Sequence, residues 1–195
     1  MKKVIALSVL ILLIGIVSGV RIFQINRTQD HPIIQKYELG EKIAVESDYF
    51  DNAGENAEGY SIRVLGTDIL TKSEFCNRYG YQENSFMNTA YYLMVNIEIN
   101  NSNNCSEENV GVYFGQFAIQ NKSYYNFVNL EVTDKVLGVN GAVLSLPPKA
   151  IKNYALPFPI SSEKELNDII NEDTKLVVSL FPHKNTVKLF NNIDS

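Results

Sequence analysis

The chain has 195 residues, 45% of them hydrophobic and 20% charged, with a net charge of −5, which suits one globular domain plus an appendage. Beyond residue 30, thirteen basic residues stand against twenty-one acidic ones, a net of −8. A body this acidic gains nothing from phosphate backbones or anionic lipid heads, so no nucleic acid is expected as a partner.

The appendage is residues 1–20, "MKKVIALSVLILLIGIVSGV", in which two lysines precede an uncharged run from Val4 to Val20. At helical rise such a run spans about 25 Å, the short end for crossing a bilayer. A retained transmembrane anchor is the first reading. A signal cleaved after Val17-Ser18-Gly19 is the second, which would make the body a secreted protein. Lys2 and Lys3 are matched by Arg21 and Arg27 across the run, and the terminal amine tips the charge count toward a cytoplasmic N-terminus. The expected location is therefore the cytoplasmic membrane, single-pass, with the domain outside. Residues 21–40 lack sustained periodicity, contain His31 and Pro32, end on Gly40, and read as a juxtamembrane linker.

From Glu41 the hydrophobic period is two. In "AYYLMVNIEIN" (90–100), Tyr91, Leu93, Val95, Ile97 and Ile99 share one face, and Tyr92, Met94, Asn96, Glu98 and Asn100 the other. That is a long antiparallel strand with one buried face. Shorter runs follow the same rule at "EKIAVES", "GYSIRVLGTDIL", "GVYFGQFAIQ", "YYNFVNLEV", "KNYALPFPI", "KLVVSLF" and "NTVKLF". Turn-forming stretches such as "DNAGENAEG", "NNSNN" and "PHKN" separate them. Eight short strands without crossover helices fit an antiparallel two-sheet sandwich over residues 41–195 and disfavour parallel pairing. Two short helices decorate it: "TKSEFCNRY", with a capping box from Thr71 to Glu74, and "SSEKELNDIIN", with another from Ser162 to Glu165.

Chemistry is sparse. His31 sits in the linker and His183 in the turn "FPHKN", where a solvated turn residue is expected; no G-x-S-x-G elbow accompanies either. Cys76 and Cys105 are the only cysteines, too few and too far apart for a zinc site. In an oxidising compartment they could close one disulfide, worth about 3–4 kcal/mol, although nothing in the strand layout demands it. The loop "ESDYFDNAGENAEG" crowds Asp48, Asp51, Glu55 and Glu58, but its spacing departs from a calcium-binding loop and a solvated acidic turn is the plainer reading. No metal or cofactor is expected.

Aromatic residues are the most suggestive feature. Most fill a sandwich core, and the segments "RYGYQENSF" and "KSYYNF" are the exceptions expected at the surface. The candidate binding residues are therefore Tyr79, Tyr81, Phe86, Tyr124 and Tyr125, with the loop 79–86 foremost because loops at a sandwich end carry recognition.

The anchor, "YSIRVLGTDILTKSEF", "YYLMVNIEINNSNN", "FAIQNKSYYNFVN" and "LSLPPKAIKNYALPFPIS" together resemble the uncharacterised extracytoplasmic immunoglobulin-like proteins of clostridia and related Gram-positive bacteria. The likeness covers roughly residues 41–190. It implies an all-β, immunoglobulin-like antiparallel sandwich outside the membrane, and carries no activity. The function expected is that of a membrane-tethered, non-enzymatic module binding a protein or a glycan. A scaffold component of an envelope complex is the alternative, and an extracytoplasmic hydrolase a more distant one. Oligomeric state is not set by the sequence.

Overall fold

The structure, a computed structural model, describes residues 15, 17–21, 32–49, 57–86, 88–104, 111–139 and 143–190. The chain divides into two compact units, residues 1–31 and 32–195. In the first, Gly15 and Val17–Arg21 are helical. Among the described residues no helix is long and apolar enough to cross a membrane.

The second unit is mostly β, in several sheets, consistent with a β-sandwich. Its strands are β1 (Ile33–Tyr37), β2 (Lys42–Ala44), β3 (Tyr60–Thr71), β4 (Tyr91–Asn101), β5 (Val112–Tyr113), β6 (Ala118–Gln120), β7 (Tyr125–Phe127), β8 (Val143–Leu144), β9 (Ile151–Ile160), β10 (Lys175–Val177) and β11 (His183–Lys188). Among the described residues three α-helices join them: α1 (Lys72–Tyr79), α2 (Thr133–Leu137) and α3 (Glu163–Asn171). One sheet has the order β1-β11-β10-β6-β7, a second the order β2-β3-β4-β9, and β5 pairs with β8.

Alternation decides what the two large sheets share. Leu93, Val95, Ile97 and Ile99 of β4 join Leu156 and Phe158 of β9 and, from the other sheet, Ile119, Leu176 and Val187 in one core, all fully buried. Each such side chain contributes about 1.5–3 kcal/mol on burial, so this layer is what holds the sheets together. The long edge strand β9 is blocked against further pairing. Pro157 and Pro159 lack N–H donors, and their carbonyls accept from the Asn129 backbone N–H (2.9 Å) and from the Tyr124 hydroxyl (3.1 Å) and Asn126 Nδ2 (2.9 Å).

Three expectations change. The linker drawn over 21–40 ends early, because Ile33–Tyr37 pairs with β11 in register Ile33↔His183 to Tyr37↔Val187. That pairing is parallel: the two strands are joined by most of the chain, a connection long enough to bring β1 back in the same direction. The far side of β4 is not wholly polar either. Tyr92 and Met94 are buried with Leu70, Phe75 and Val132 in a second core, roofed by α1 and the segment after it. The "NLEV" end of the fifth predicted strand turns instead into a 3₁₀ turn, Leu130–Val132, and then α2.

Both predicted helix starts are present. Thr71 caps α1 with the reciprocal Glu74 contact, and Ser162 accepts from the Glu165 N–H at the start of α3. Gly80 ends α1 in the left-handed region (φ 69°), donating to the Cys76 carbonyl and turning the chain back onto the sheet.

Candidate functional site

The loop after α1 is built inward. The ring of Phe75 stacks on Tyr92 of β4 with centroids 3.7 Å apart, and Tyr79, Tyr81 and Phe86 close around it at 5.0, 5.9 and 6.0 Å. Tyr79, Tyr81 and Phe86 are half-buried and pack against the second core, so the surface patch expected at 79–86 is the lid of a small core. The physical reason is the αL turn at Gly80, which folds these rings onto the exposed half of β4 where water would otherwise meet Tyr92 and Met94.

Tyr81 is the most constrained of them. Its hydroxyl donates to Asp134 Oδ1 at 3.2 Å, and the Lys135 ammonium lies 4.2 Å over its ring. Burial, then the Asp134 charge and hydrogen bond, push its phenol up to about 12. The protonated phenol is favoured in the folded state. Its stabilising contribution is therefore complete below pH 10 and is lost as pH rises through 12. In an absorbance titration of tyrosinate, subtracting the Tyr81→Phe variant should leave one ionisation near pH 12. A residual transition near pH 10 would mean that the ring is not held this way.

Tyr124 and Tyr125, adjacent in sequence, point to opposite sides. Tyr124 packs against the main core, and its phenol is pushed up by burial and then by Glu165. Tyr125 is 43% exposed and pairs edge-to-face with Phe127, 44% exposed, at 5.2 Å. Register places both rings on the outer face of the five-stranded sheet. Tyr125 lies opposite Gln120, Gln120 opposite Lys175, and Lys175 opposite Lys188; Phe127 lies opposite Ala118, then Val177, Thr186 and Lys36.

On the outer face the short Thr186 is surrounded by longer side chains, while its neighbours Ala118 and Val177 are fully buried. Lys184 reaches across β10 to donate to Gln120 Oε1 at 2.8 Å. The resulting cavity of about 400 Å³ is bordered by Lys36, Lys122, Lys175 and Lys184, and Lys188 borders the hollow beside it. Five of the thirteen basic residues beyond residue 30 thus meet on one face, against Asp173 and Glu38.

The electrostatics agree with the geometry. Lys175 Nζ lies 2.6 Å from Asp173 Oδ2. That hydrogen bond holds the Asp173 carboxyl below its ordinary value, and the charges of Lys175, Lys188 and Lys36 add to it. Burial, then the Lys175 charge, lowers Lys184. Lys175 and Lys188 are directly opposed across the strands, an arrangement that costs stability. Net charge hides this face completely, because the acidic excess lies elsewhere on the domain.

A second polar cluster joins distant segments. Asp48, buried, accepts from His183 Nδ1 (2.9 Å), the His183 backbone N–H (3.3 Å) and Asn185 Nδ2 (2.6 Å). Asn185 also donates to Ser179 Oγ, whose hydroxyl donates to the His183 carbonyl at 2.9 Å. His183 is therefore half-buried and tied down, not a solvated turn residue, because a carboxylate 135 residues away closes on it. The Ser179 hydroxyl is directed at a carbonyl and not at the imidazole, so the cluster fastens a turn.

Cys76 is a buried free thiol; Cys105, with which it could have closed a disulfide, and the 50–56 part of the acidic loop lie outside the described residues. A larger hollow of about 490 Å³ sits beside β2 and the Asn-rich turn. Its charges are mixed, with Lys42 beside Glu46 and Glu58, and Asn104 is engaged with the Glu58 carbonyl (2.6 Å) and the Asn101 side chain (2.7 Å).

The fold and the basic outer face define a layered, mostly β domain with one chemically distinctive sheet surface. The chain belongs to the family described as "Domain of unknown function (DUF5028)", whose model matches residues 34–185. No curated protein and no solved structure matches it.

Proposed function

We propose that the protein is a non-enzymatic binding module: an immunoglobulin-like sandwich, tethered to the membrane by residues 1–20 and held outside it, that takes a glycan or protein ligand on the outer face of the five-stranded sheet. The observation that carries this reading is the juxtaposition of two exposed aromatic rings, Tyr125 and Phe127, with a cavity ringed by lysines. Like charges directly opposed on neighbouring strands weaken a sheet, and an anionic group on a ligand would relieve the repulsion between Lys175 and Lys188. A scaffold component is the second reading, since the same face could dock a neighbouring protein. A hydrolase finds less support, because the Ser179 hydroxyl in the same cluster as the imidazole and its buried carboxylate partner donates to the His183 carbonyl instead.

A photo-crosslinking side chain placed at position 125, activated on intact cells, tests both the face and the location. Capture of a glycan or envelope protein from position 125, with none from exposed position 164 on α3, is the expected result. An epitope after Ser195 on the same cells should sediment with membranes and be lost to added protease. Equal capture from both positions, or turnover by the purified protein that one polar substitution abolishes, would overturn the reading.

A further inference from the structure

We infer that the ligand of this face is an acidic glycan, a sugar polymer carrying carboxylates or phosphates, lying across the strands from the Tyr125–Phe127 pair to the lysines of β10, β11 and β1. The inference rests on the binding role proposed above and adds the chemistry of the ligand. Five strands at about 4.8 Å spacing make a face about 19 Å across, long enough for several sugar units. At one end the paired rings offer an apolar surface for the C–H face of a sugar ring, with the Tyr125 hydroxyl for its oxygens. From the other three strands Lys188, Lys36 and Lys175 present ammonium groups around a hollow that Asp173 and Glu38 also border. Lys122 and Lys184 border the path between.

Neither half of the face suffices alone. A neutral glycan would use the rings and leave the lysines in mutual repulsion; a bare polyanion would use the lysines and leave the rings idle. A folded protein partner typically covers about 800 Å² on each side, whereas the hollow here, about 400 Å³, has the volume of a site for a few small units.

The test is calorimetric titration of the full chain in detergent with oligomannuronate and phosphomannan fragments of equal length. Neutral mannohexaose, inorganic polyphosphate and oligothymidylate serve as comparisons. At least one acidic glycan should bind at least tenfold more tightly than mannohexaose, and more tightly than polyphosphate or oligothymidylate. Raising sodium chloride from 50 to 500 mM should weaken that binding about tenfold, because ion pairs at a solvent-open face are screened. The exposed double variant Lys36→Gln/Lys122→Gln should lose about tenfold at unchanged melting temperature, Tyr125→Ala about fivefold, and Lys164→Gln nothing. Mannohexaose binding as tightly as the acidic fragments, polyphosphate or oligothymidylate binding more tightly, or no binding by any probe would each overturn the acidic-glycan assignment. These failures are separable from failure of the binding role, which is read from crosslinking at position 125.

Discussion

Replacing Phe75 with alanine should lower the free energy of unfolding by about 4 kcal/mol, the cost of removing a large aromatic ring from a closed site. For a chain of this size that is a fall of about 10 °C in Tm. Phe75 is fully buried, and four rings, Tyr79, Tyr81, Phe86 and Tyr92, pack around it. Its loss opens a cavity between α1 and β4 that Tyr92, fixed in the sheet, cannot fill. Urea unfolding followed by circular dichroism checks the value. Tyr125→Ala is the internal contrast: a ring of similar size on the outer face should change stability by less than about 0.5 kcal/mol. A Phe75→Ala cost below about 1 kcal/mol would mean that the second core does not exist as a packed unit.

The other large effect is expected at Asp48. Its carboxylate receives three donors from β11, and alanine would take the acceptor from the half-buried His183 N–H and imidazole and one of the two acceptors from the buried Asn185 amide. A hydrogen bond to a charged group is worth about 1.5–3 kcal/mol, and stranding buried donors adds to it, so a loss of about 3 kcal/mol is expected. Asp48→Asn, which keeps one acceptor oxygen, should lose about half as much. Both are read from urea midpoints at an unchanged slope. Near-neutral Asp48→Ala would show that the turn before β11 is held by something other than this contact.

What the sequence disclosed was local. Thr71 with Glu74, and Ser162 with Glu165, lie within four residues of one another, so their helix starts could be seen in the letters alone. The β4 strand was visible because its apolar residues alternate without a break from Leu93 to Ile99. What stayed hidden depends on segments that meet only after folding. The outward side of β4 looked half polar until α1 and the Gly80 turn brought Phe75 and Tyr81 over Tyr92. Ile33–Tyr37 is a strand because β11, some 150 positions later, lies beside it. The basic face draws Lys36, Lys122, Lys175, Lys184 and Lys188 from three strands and a turn, and no window of the sequence holds more than two or three of them. Of the five aromatic residues selected as binding candidates, four proved to pack inward and one, Tyr125, stands on that face. "KSYYNF" offered no means of telling Tyr124 from Tyr125 beyond strand alternation, which sets the two apart without saying which of them points out.

The central claim, that the outer face of the β1-β11-β10-β6-β7 sheet receives the ligand, is tested most directly by amide chemical-shift mapping of the ¹⁵N-labelled chain during titration with the tightest-binding acidic fragment. Shifts concentrated at residues 34–36, 118–127, 175–177 and 184–188, with the amides of 75–86 unmoved, are the predicted result. Shifts centred on 75–86 or on the turn at 102–104, with the lysine-bearing strands silent, would contradict it.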